Sequence, residues 1–219
     1  IDLVVAPHQI VGLAGVSGNG QAELLAALVG EDRRAPADAI RLAGRAVGKA
    51  SVRRRREQGL GYLPEDRLGT ATVPDLGLAR NLLLTHDDPA LFRVGLIRDR
   101  VLAARAGAIV ADFDVRRPGP GATARSLSGG NLQKYIVGRE LARRPSLLIA
   151  AQPTWGVDAA AARRIRDALL ALRDDGAGLL IVSEDLGELF ELADVLVVMA
   201  GGRVSAPRPP RSPRTSVRG

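Results

Sequence analysis

The chain of 219 residues contains no cysteine, only two lysines and few aromatic side chains. Without cysteine it forms no disulfide and no thiolate metal site, which is compatible with a reducing compartment. Aromatic residues make up 3% of the sequence, too few for a surface on which nucleic-acid bases stack. No apolar run approaches the about 20 residues that a membrane-spanning helix needs, and no signal peptide is recognisable at residues 1–6.

The net charge of +7 comes almost entirely from arginine. Part of this charge lies at residues 53–56 and part in residues 205–219, which are rich in proline, arginine and serine. We interpret the first group as a solvated helix face and the second as a disordered basic tail. Nucleic-acid binding is the alternative function of such charge, and we expect no nucleic-acid partner.

Apolar runs of strand length alternate with helical patterns along most of the chain, which predicts a parallel sheet with helices on both faces. Between residues 74 and 145 helical patterns dominate, which indicates a helical subdomain inserted in one domain over residues 1–204. Strands are predicted at 9–14, 61–63, 147–151, 179–183 and 195–199, a strand pair at 39–47, and helices at 21–29, 52–58, 78–84, 98–113, 159–173 and 186–192.

Residues 15–22 (GVSGNGQA) stand between a strand pattern and a helix pattern, the context of a phosphate-binding loop. The complete loop reads G-x-x-x-x-G-K-[ST], but here Gln21 replaces the lysine and Ala22 the hydroxyl. A neutral amide does not replace a cation beside phosphates, and a methyl group does not bind Mg²⁺. We therefore expect at most weak nucleotide binding, through backbone amides and the helix dipole. A dinucleotide loop is excluded because Glu23 stands where its third glycine belongs.

Residues 127–131 (LSGGN) form a Ser/Gly loop before an amphipathic helical pattern, with Ser128 as the predicted N-cap. The free N–H groups of such a helix start suit phosphate. The loop resembles the signature loop of ABC-type ATPases, commonly LSGGQ, which in that family contacts the γ-phosphate of ATP held by a partner domain. A loop that only caps a helix is the alternative for this motif taken alone.

Two further segments resemble catalytic motifs of the same family, in the family's order. Residues 147–154 (LLIAAQPT) resemble the strand that ends in Asp-Glu-Pro-Thr, but Ala151 and Gln152 occupy both carboxylate positions. The resemblance therefore implies that neither Mg²⁺ support nor activation of the attacking water is available here. In the switch segment Glu184 takes the place of the histidine, where an acid repels a γ-phosphate.

Other segments complete the likeness. Asp158 matches the D-loop, and Glu65 of the segment GYLPEDR stands at the glutamine of the Q-loop. Trp155 replaces a residue that is often basic in the family, and we assign it packing or a domain contact. His8 and His86 are expected at the surface, without a role.

Together the motifs resemble most the second nucleotide-binding domain of the tandem ATPase subunit of bacterial nucleoside or simple-sugar importers. This implies an α/β fold, the P-loop NTPase-like ABC ATPase domain, with a mostly parallel sheet flanked by helices and a helical subdomain. The region before Gly15 is short for the family, so we expect its N-terminal strands to be truncated.

The losses cluster in the half-site that binds and hydrolyses ATP, whereas the signature half is complete. The resemblance therefore implies a domain that lends its signature to a competent nucleotide-binding domain, with ATP as the cofactor and Mg²⁺ mainly at the partner's site. The isolated chain is expected to be inactive or very weak, and no metal site of its own is expected. Transmembrane permease subunits, and indirectly a solute-binding protein, are the implied partners at the cytoplasmic face of the plasma membrane.

Two alternatives remain open: a soluble ABC-type ATPase that acts on nucleic acid or ribosomes, and a non-functional truncated fragment. The candidate site residues are, for the nucleotide loop, Gly15, Ser17, Gly18, Asn19, Gly20, Gln21 and Ala22; for the signature loop, Leu127, Ser128, Gly129, Gly130 and Asn131; for the Q-loop, Glu65; for the D-loop, Asp158; and, as degenerate catalytic positions, Gln152 and Glu184.

Overall fold

The computed structural model describes residues 1–86 and 88–210. The chain divides into two compact units. Unit 1 contains residues 1–60, 146–150 and the chain from residue 173 onward, and unit 2 contains residues 61–145 and 151–172.

Within the described residues the strands and helices follow the predicted alternation. The strands are β1 (Ile10–Ala14), β2 (Arg41–Leu42), β3 (Arg45–Ala46), β4 (Leu60–Leu63), β5 (Phe92–Arg93), β6 (Leu96–Ile97), β7 (Leu147–Ala151), β8 (Gly178–Ser183), β9 (Val195–Ala200) and β10 (Arg203–Val204). The helices are α1 (Gln21–Val29), α2 (Val52–Glu57), α3 (Leu78–Leu82), α4 (Asp99–Asp112), α5 (Gly129–Leu141), α6 (Ala159–Asp174) and α7 (Leu186–Leu192).

The main sheet is built around β1, which pairs in parallel with both β8 and β9. Its strand order in unit 1 is β10-β9-β1-β8-β7, and β4, whose first residue Leu60 also belongs to unit 1, is the sixth strand. Every residue of β1 and β8 is buried, as expected for inner parallel strands with both faces covered. The predicted α/β fold with a mostly parallel sheet is confirmed.

The last turn of helix α1 is hydrogen-bonded to Arg55, whose burial the sequence did not reveal. The Arg55 guanidinium, fully buried, donates to the carbonyls of Ala27 at 2.5 Å and Leu28 at 2.6 Å, in the last turn of α1. It also donates to the carbonyls of Gly48 and Ala50, at 3.2 Å each. The expectation of a wholly solvated arginine group at 53–56 is wrong at this position, because the last carbonyls of a helix need donors.

Unit 2 is mainly helical, with a core in which α4 packs against α3 and α5. The buried Tyr135 of α5 donates its hydroxyl to the carbonyl of Leu78, at 2.5 Å. Asn81 of α3 accepts from the N–H of Val73 at 2.8 Å and donates to the carbonyl of Leu76 at 2.9 Å. The hairpin β5–β6 lies where only polar loops were predicted.

His86 is buried in unit 2, with 8% of its surface exposed, so the expectation of a surface histidine is wrong. Its Nδ1 lies 3.3 Å from the hydroxyl oxygen of Thr85. Burial lowers the pKa of His86 to about 4, against an opposing effect of the Glu140 carboxylate. The histidine is therefore neutral at pH 7, in a core that also holds the buried ion pair of Arg139 and Glu140 at 3.2 Å.

The chain after β10 continues along the edge of β9. Arg208 exchanges two backbone hydrogen bonds with Leu196, at 2.7 and 2.9 Å, and the N–H of Ser205 donates to the carbonyl of Val198. The predicted disordered tail at 205–219 is thus hydrogen-bonded at its start, and residues 211–219 lie outside the described residues. In the part of the chain that the structure describes, no helix is long and apolar enough to cross a membrane.

Candidate functional site

The glycine-rich loop of unit 1 connects β1 to α1, as predicted. Gly18 and Gly20 have φ values of 88° and 106°, a left-handed conformation that glycine adopts without steric penalty. The Gln21 side chain fills this loop: its Oε1 accepts from the N–H of Asn19 at 3.1 Å and its Nε2 donates to the carbonyl of Val16 at 3.0 Å. A Cβ at Gly15 would lie 2.7 Å from the backbone carbonyl oxygen of Met199, so glycine is favoured there.

A carboxylate of the same unit occupies a second amide of the loop. The backbone N–H of Ser17 donates to Oε1 of Glu184, at 2.7 Å, across 167 positions of sequence. Hydrogen bonds from the Ser17 side chain and backbone hold the pKa of Glu184 below its usual value. The group is therefore ionised at neutral pH, and an amide of the kind that binds phosphate faces the chain's own negative charge.

Asn19 anchors the loop to the turn after β9, a role that the sequence did not indicate. Its side-chain oxygen accepts from the N–H of Gly201 at 3.0 Å, and its backbone carbonyl accepts from the N–H of Gly202 at 2.9 Å. Its Nδ2 also donates to the carbonyl of Val16, at 2.8 Å. The loop is therefore held in one shape by its own side chains.

The signature-like loop lies in unit 2, at the start of the 13-residue helix α5. Ser128 is the N-cap, as predicted: its Oγ accepts from the N–H of Asn131 at 3.4 Å and from Asn131 Nδ2 at 2.9 Å. The side-chain oxygen of Asn131 accepts from the N–H of Arg116, at 2.9 Å. As the first residues of α5, Gly129 and Gly130 have no acceptor within the helix for their N–H groups, which makes these groups available to an anion.

A polar pocket of about 150 Å³ adjoins this loop, within unit 2. The ammonium of Lys134, 9% exposed, lies 3.9 Å from the Asp114 carboxylate and donates to the Asp114 backbone carbonyl. Asp158 caps α6 by accepting from the N–H of Ala161 at 2.8 Å, and this bond, followed by the charges of Lys134 and Arg116, lowers its pKa. The lining residues are Asp114, Arg116, Ser128, Gly130, Asn131, Lys134, Val157, Asp158 and Ala161.

Arg67 joins the signature-like loop to the segment around Trp155, also within unit 2. Its guanidinium donates to the backbone carbonyl of Trp155. A Cβ at Gly129 would lie 3.0 Å from Arg67 Nη1, and one at Gly156 would lie 3.3 Å from Arg67 Nη2. The arginine therefore packs directly on two glycines, while the Trp155 side chain is 66% exposed. Burial lowers the pKa of Arg67.

The remaining candidate residues also lie in unit 2. Ala151 ends β7 with a buried methyl group. Gln152 follows in the left-handed region, at φ 49°, and its backbone carbonyl accepts from Gln133 Nε2 at 3.4 Å. Glu65 is exposed in the segment after β4. Both Ala151 and Gln152 thus have neutral side chains at the end of β7.

The sequence model of a family described as ABC transporter matches residues 1–155. The chain belongs to this family. It is 38% identical over 207 residues to the guanosine import ATP-binding protein NupO of Bacillus subtilis, covering 94% of this chain and 40% of that protein. It is 42% identical over 207 residues to the glucose import ATP-binding protein TsgD13 of Haloferax volcanii, covering 93% and 38% respectively. The chain thus spans about two fifths of the length of these relatives.

Solved structures share the fold. A dimeric ATP-binding cassette bound to ADP and phosphate superposes with a TM-score of 0.80 at 18% identity, covering 97% of this chain and 90% of that one. The ATP-binding subunit of another ABC transporter superposes with a TM-score of 0.75 at 23% identity, covering 94% and 81%. ATP-binding domains of this family bind ATP, generally with Mg²⁺.

The residues of the chain's own loop do not fit Mg-ATP. Gln21 supplies an amide where a cation belongs, and the methyl group of Ala22 offers no Mg²⁺ ligand. The N–H groups of Ser17 and Asn19 donate to side chains of the chain itself. This loop therefore lacks the groups that would hold Mg-ATP for hydrolysis.

Proposed function

We propose that this chain is the non-hydrolysing nucleotide-binding domain of an ABC importer, and that its signature loop, residues 127–131, completes the ATP site of a competent partner domain. Its own hydrolytic half-site is degenerate. One contrast between the two loops carries this proposal. In the signature loop, Ser128 caps α5, and the N–H groups of Gly129 and Gly130 have no acceptor within the helix. In the phosphate loop, the N–H groups of Ser17 and Asn19 already donate to the side chains of Glu184 and Gln21.

The signature loop is prepared for an anion. Ser128 is fixed by Asn131, which is itself fixed by the N–H of Arg116. The glycines leave the first turn of α5 bare, and a Cβ at Gly130 would lie 3.2 Å from the carbonyl oxygen of Gly156. The N-terminus of α5 adds a partial positive charge. A γ-phosphate held by a partner domain fits these donors.

The phosphate loop, residues 15–22, is not prepared for an anion. Glu184 places a negative charge on the amide of Ser17, and Gln21 uses the amide of Asn19. A nucleotide would have to displace both side chains, and it would gain neither a cation nor a Mg²⁺ ligand. The pair of domains is therefore asymmetric, with one productive ATP for each pair.

These contacts also give a mechanism for closing the pair of domains. Two or three hydrogen bonds from the signature loop to a γ-phosphate contribute about 1.5–3 kcal/mol each. They exist only while the triphosphate is intact, so the domains close around ATP and reopen after the partner hydrolyses it. Permease subunits convert this motion into transport.

The relatives support the substrate class and the partners. Their names describe import of guanosine, of glucose and of nucleosides, so we assign this chain to an importer of nucleosides or simple sugars. The partners are a competent nucleotide-binding domain, in tandem in the same protein, and transmembrane permease subunits at the cytoplasmic face of the plasma membrane. Residues 1–204 form the domain, with residues 74–145 as its helical subdomain.

The test is the ATPase rate of the chain alone and after mixing with the competent nucleotide-binding domain of the same transporter. We expect no hydrolysis by the chain alone and a rise in the partner's rate on mixing. Ser128→Arg, which places a bulky side chain in the signature loop, is expected to abolish the rise. The matched control is Ala103→Arg on the exposed face of α4, which adds the same side chain away from the loop.

Hydrolysis by the chain alone at a rate typical of the family would contradict the degenerate half-site. A rise that survives Ser128→Arg would contradict signature donation. No hydrolysis by the chain alone and no rise in the partner's rate on mixing would favour the non-functional fragment.

A further inference from the structure

The hairpin β5–β6 in unit 2 exposes three large apolar side chains, at its turn and on both of its faces. Val94 is 95% exposed, Leu96 74% and Phe92 39%. The two strands pair Phe92 with Ile97 and Arg93 with Leu96, and residues 94 and 95 form the turn. Because paired residues share a face, Phe92 lies on one face and Leu96 on the other, with Val94 in the turn. Exposed apolar side chains at a loop tip are unfavourable in water and indicate a contact surface.

The geometry of the turn does not explain why residue 94 is a valine. Val94 and Gly95 have φ values of 51° and 77°, the two left-handed positions of a tight hairpin turn that Asn-Gly or Asp-Gly satisfies best. A β-branched side chain rarely adopts this conformation. An apolar residue held there against its backbone preference indicates that the side chain itself has a role.

The base of the hairpin is fixed, so the tip cannot fold back to bury these side chains. Leu91, before the hairpin, is fully buried. Its carbonyl accepts from the N–H of Arg98 at 2.8 Å, which closes the hairpin at its open end. The preceding turn is capped by Asp88, which accepts from the N–H of Ala90 at 2.7 Å. The tip therefore projects from a rigid support.

Positive charge surrounds the apolar tip. Arg93, Arg98 and Arg100 are exposed. Residues 88–100 contain two acidic side chains, and both are paired with other arginines: Asp88 with Arg105 at 2.6 Å, and Asp99 with Arg80 at 2.8 Å. Arg93 and Arg98 beside the hairpin, with Arg100 in the first turn of α4, thus supply the positive charge near the tip.

We propose that this hairpin tip is a membrane contact, in which Phe92, Val94 and Leu96 enter the headgroup region of an anionic lipid bilayer and the arginines at 93, 98 and 100 bind its phosphates. Apolar side chains bordered by basic ones match this interface. Arginine keeps its charged end among the headgroups while its aliphatic part follows the apolar side chains. The inference does not depend on signature donation.

The test is co-sedimentation of the full chain with vesicles of phosphatidylcholine that contain about one third phosphatidylglycerol, and with pure phosphatidylcholine. We expect binding to the anionic vesicles and about tenfold weaker binding by Val94→Ser/Leu96→Ser, which leaves the charge unchanged. Arg93→Gln/Arg100→Gln is expected to weaken binding by at least about tenfold, at roughly one fivefold step per charge. The matched control is Ile1→Ser/Val4→Ser, which removes two exposed apolar side chains of unit 1.

A second measurement locates the tip. Trp155 is the only tryptophan, so Trp155→Phe/Val94→Trp reports on the hairpin alone. A blue shift of its emission on anionic vesicles, with quenching by brominated lipid, supports the proposal. Unchanged emission would overturn it. Equal vesicle binding by the wild type and the serine pair would also overturn it and would leave the tip as a contact for a protein partner.

Discussion

The carboxylate of Glu184 lies 2.7 Å from the backbone nitrogen of Ser17 and accepts its hydrogen bond. Glu184 follows β8, and Ser17 lies in the loop between β1 and α1, so the parallel pairing of these two strands brings the two residues together. In a loop that binds phosphate, an amide at this place would donate to the phosphate. In this chain it donates to the negatively charged side chain of Glu184. The contact makes the phosphate loop a closed structural turn, and it is directly testable.

Removing this carboxylate is expected to open the loop to nucleotide. Glu184→Ala frees the Ser17 amide and removes the charge, whereas Glu184→Gln removes only the charge. We expect affinity for a fluorescent ADP analogue to increase in the order wild type, Gln, Ala, by about tenfold over the series, because a negative charge within a few ångströms of phosphates is lost. Fluorescence titration of the isolated chain measures this order.

The control is Glu191→Gln, the same change on the exposed face of α7. It is expected to leave nucleotide affinity unchanged. Equal affinities in all four proteins would show that Glu184 does not close the loop.

Restoring the missing cation and hydroxyl is expected to restore binding without hydrolysis. In the Glu184→Ala background, Gln21→Lys supplies a charge-assisted bond and raises ATP affinity about ten- to hundredfold. Adding Ala22→Ser makes the affinity depend on Mg²⁺. Phosphate release is expected to stay undetectable until Ala151→Asp and Gln152→Glu are also present, and hydrolysis before that point would contradict the assigned roles.

Stability is expected to fall below neutral pH because of His86. Its pKa is lowered by burial to about 4 in the folded chain, against about 6.5 in an unfolded one. Unfolding therefore takes up a proton between these values, and the free energy of unfolding decreases as pH falls from about 6.5 to 4, by about 3 kcal/mol in total. Denaturant unfolding at a series of pH values measures this loss.

The matched variants are His86→Gln and His8→Gln, which alter the two histidines of the chain. His86→Gln is expected to flatten the pH dependence. His8→Gln, at an exposed position, is expected to preserve it, and a flattening by this variant instead would contradict the role of burial.

Arg55 is expected to be a main contributor to the stability of unit 1. Arg55→Met leaves four carbonyls without their donor, those of Ala27, Leu28, Gly48 and Ala50. We expect a loss of at least about 3 kcal/mol in the free energy of unfolding, since each buried acceptor left unpaired is unfavourable by about 1–3 kcal/mol. Arg53→Met is the control on the same helix.

The Arg53 side chain is 88% exposed and pairs with Glu57 in a surface contact. Such pairs contribute about 0–1 kcal/mol, so Arg53→Met is expected to change stability by less than about 1 kcal/mol. Similar losses in the two variants would indicate that burial of Arg55 does not matter. Chemical denaturation provides both values.

Much of the fold follows from local patterns in the sequence. The predicted helices at 21–29 and 186–192 have the same bounds as α1 and α7; Gly30 ends α1 in the left-handed region and Asp185 caps the start of α7. The strands β1, β8 and β9 were predicted from continuous apolar runs. The hairpin β5–β6 and the strand β10 were missed, because two-residue strands are too short to show a period.

The contacts of the candidate site could not be predicted in the same way. Motif order identified Glu184 and Gln21 as replacements, but not that both side chains bind the loop. The Ser17 contact spans 167 positions and depends on the register of two parallel strands. Arg67 carried no local signal, since its neighbours Trp155 and Gly129 are distant in sequence and adjacent only within unit 2.

ATP-dependent association of this chain with its partner domain tests whether each asymmetric pair holds one productive ATP. Sedimentation of this chain with a partner domain that binds but cannot hydrolyse ATP gives both the complex and its nucleotide content. We expect a complex that forms only with ATP, contains one ATP, and is lost with Ser128→Arg in this chain. A complex with two ATP molecules, or one that survives Ser128→Arg, would contradict this expectation.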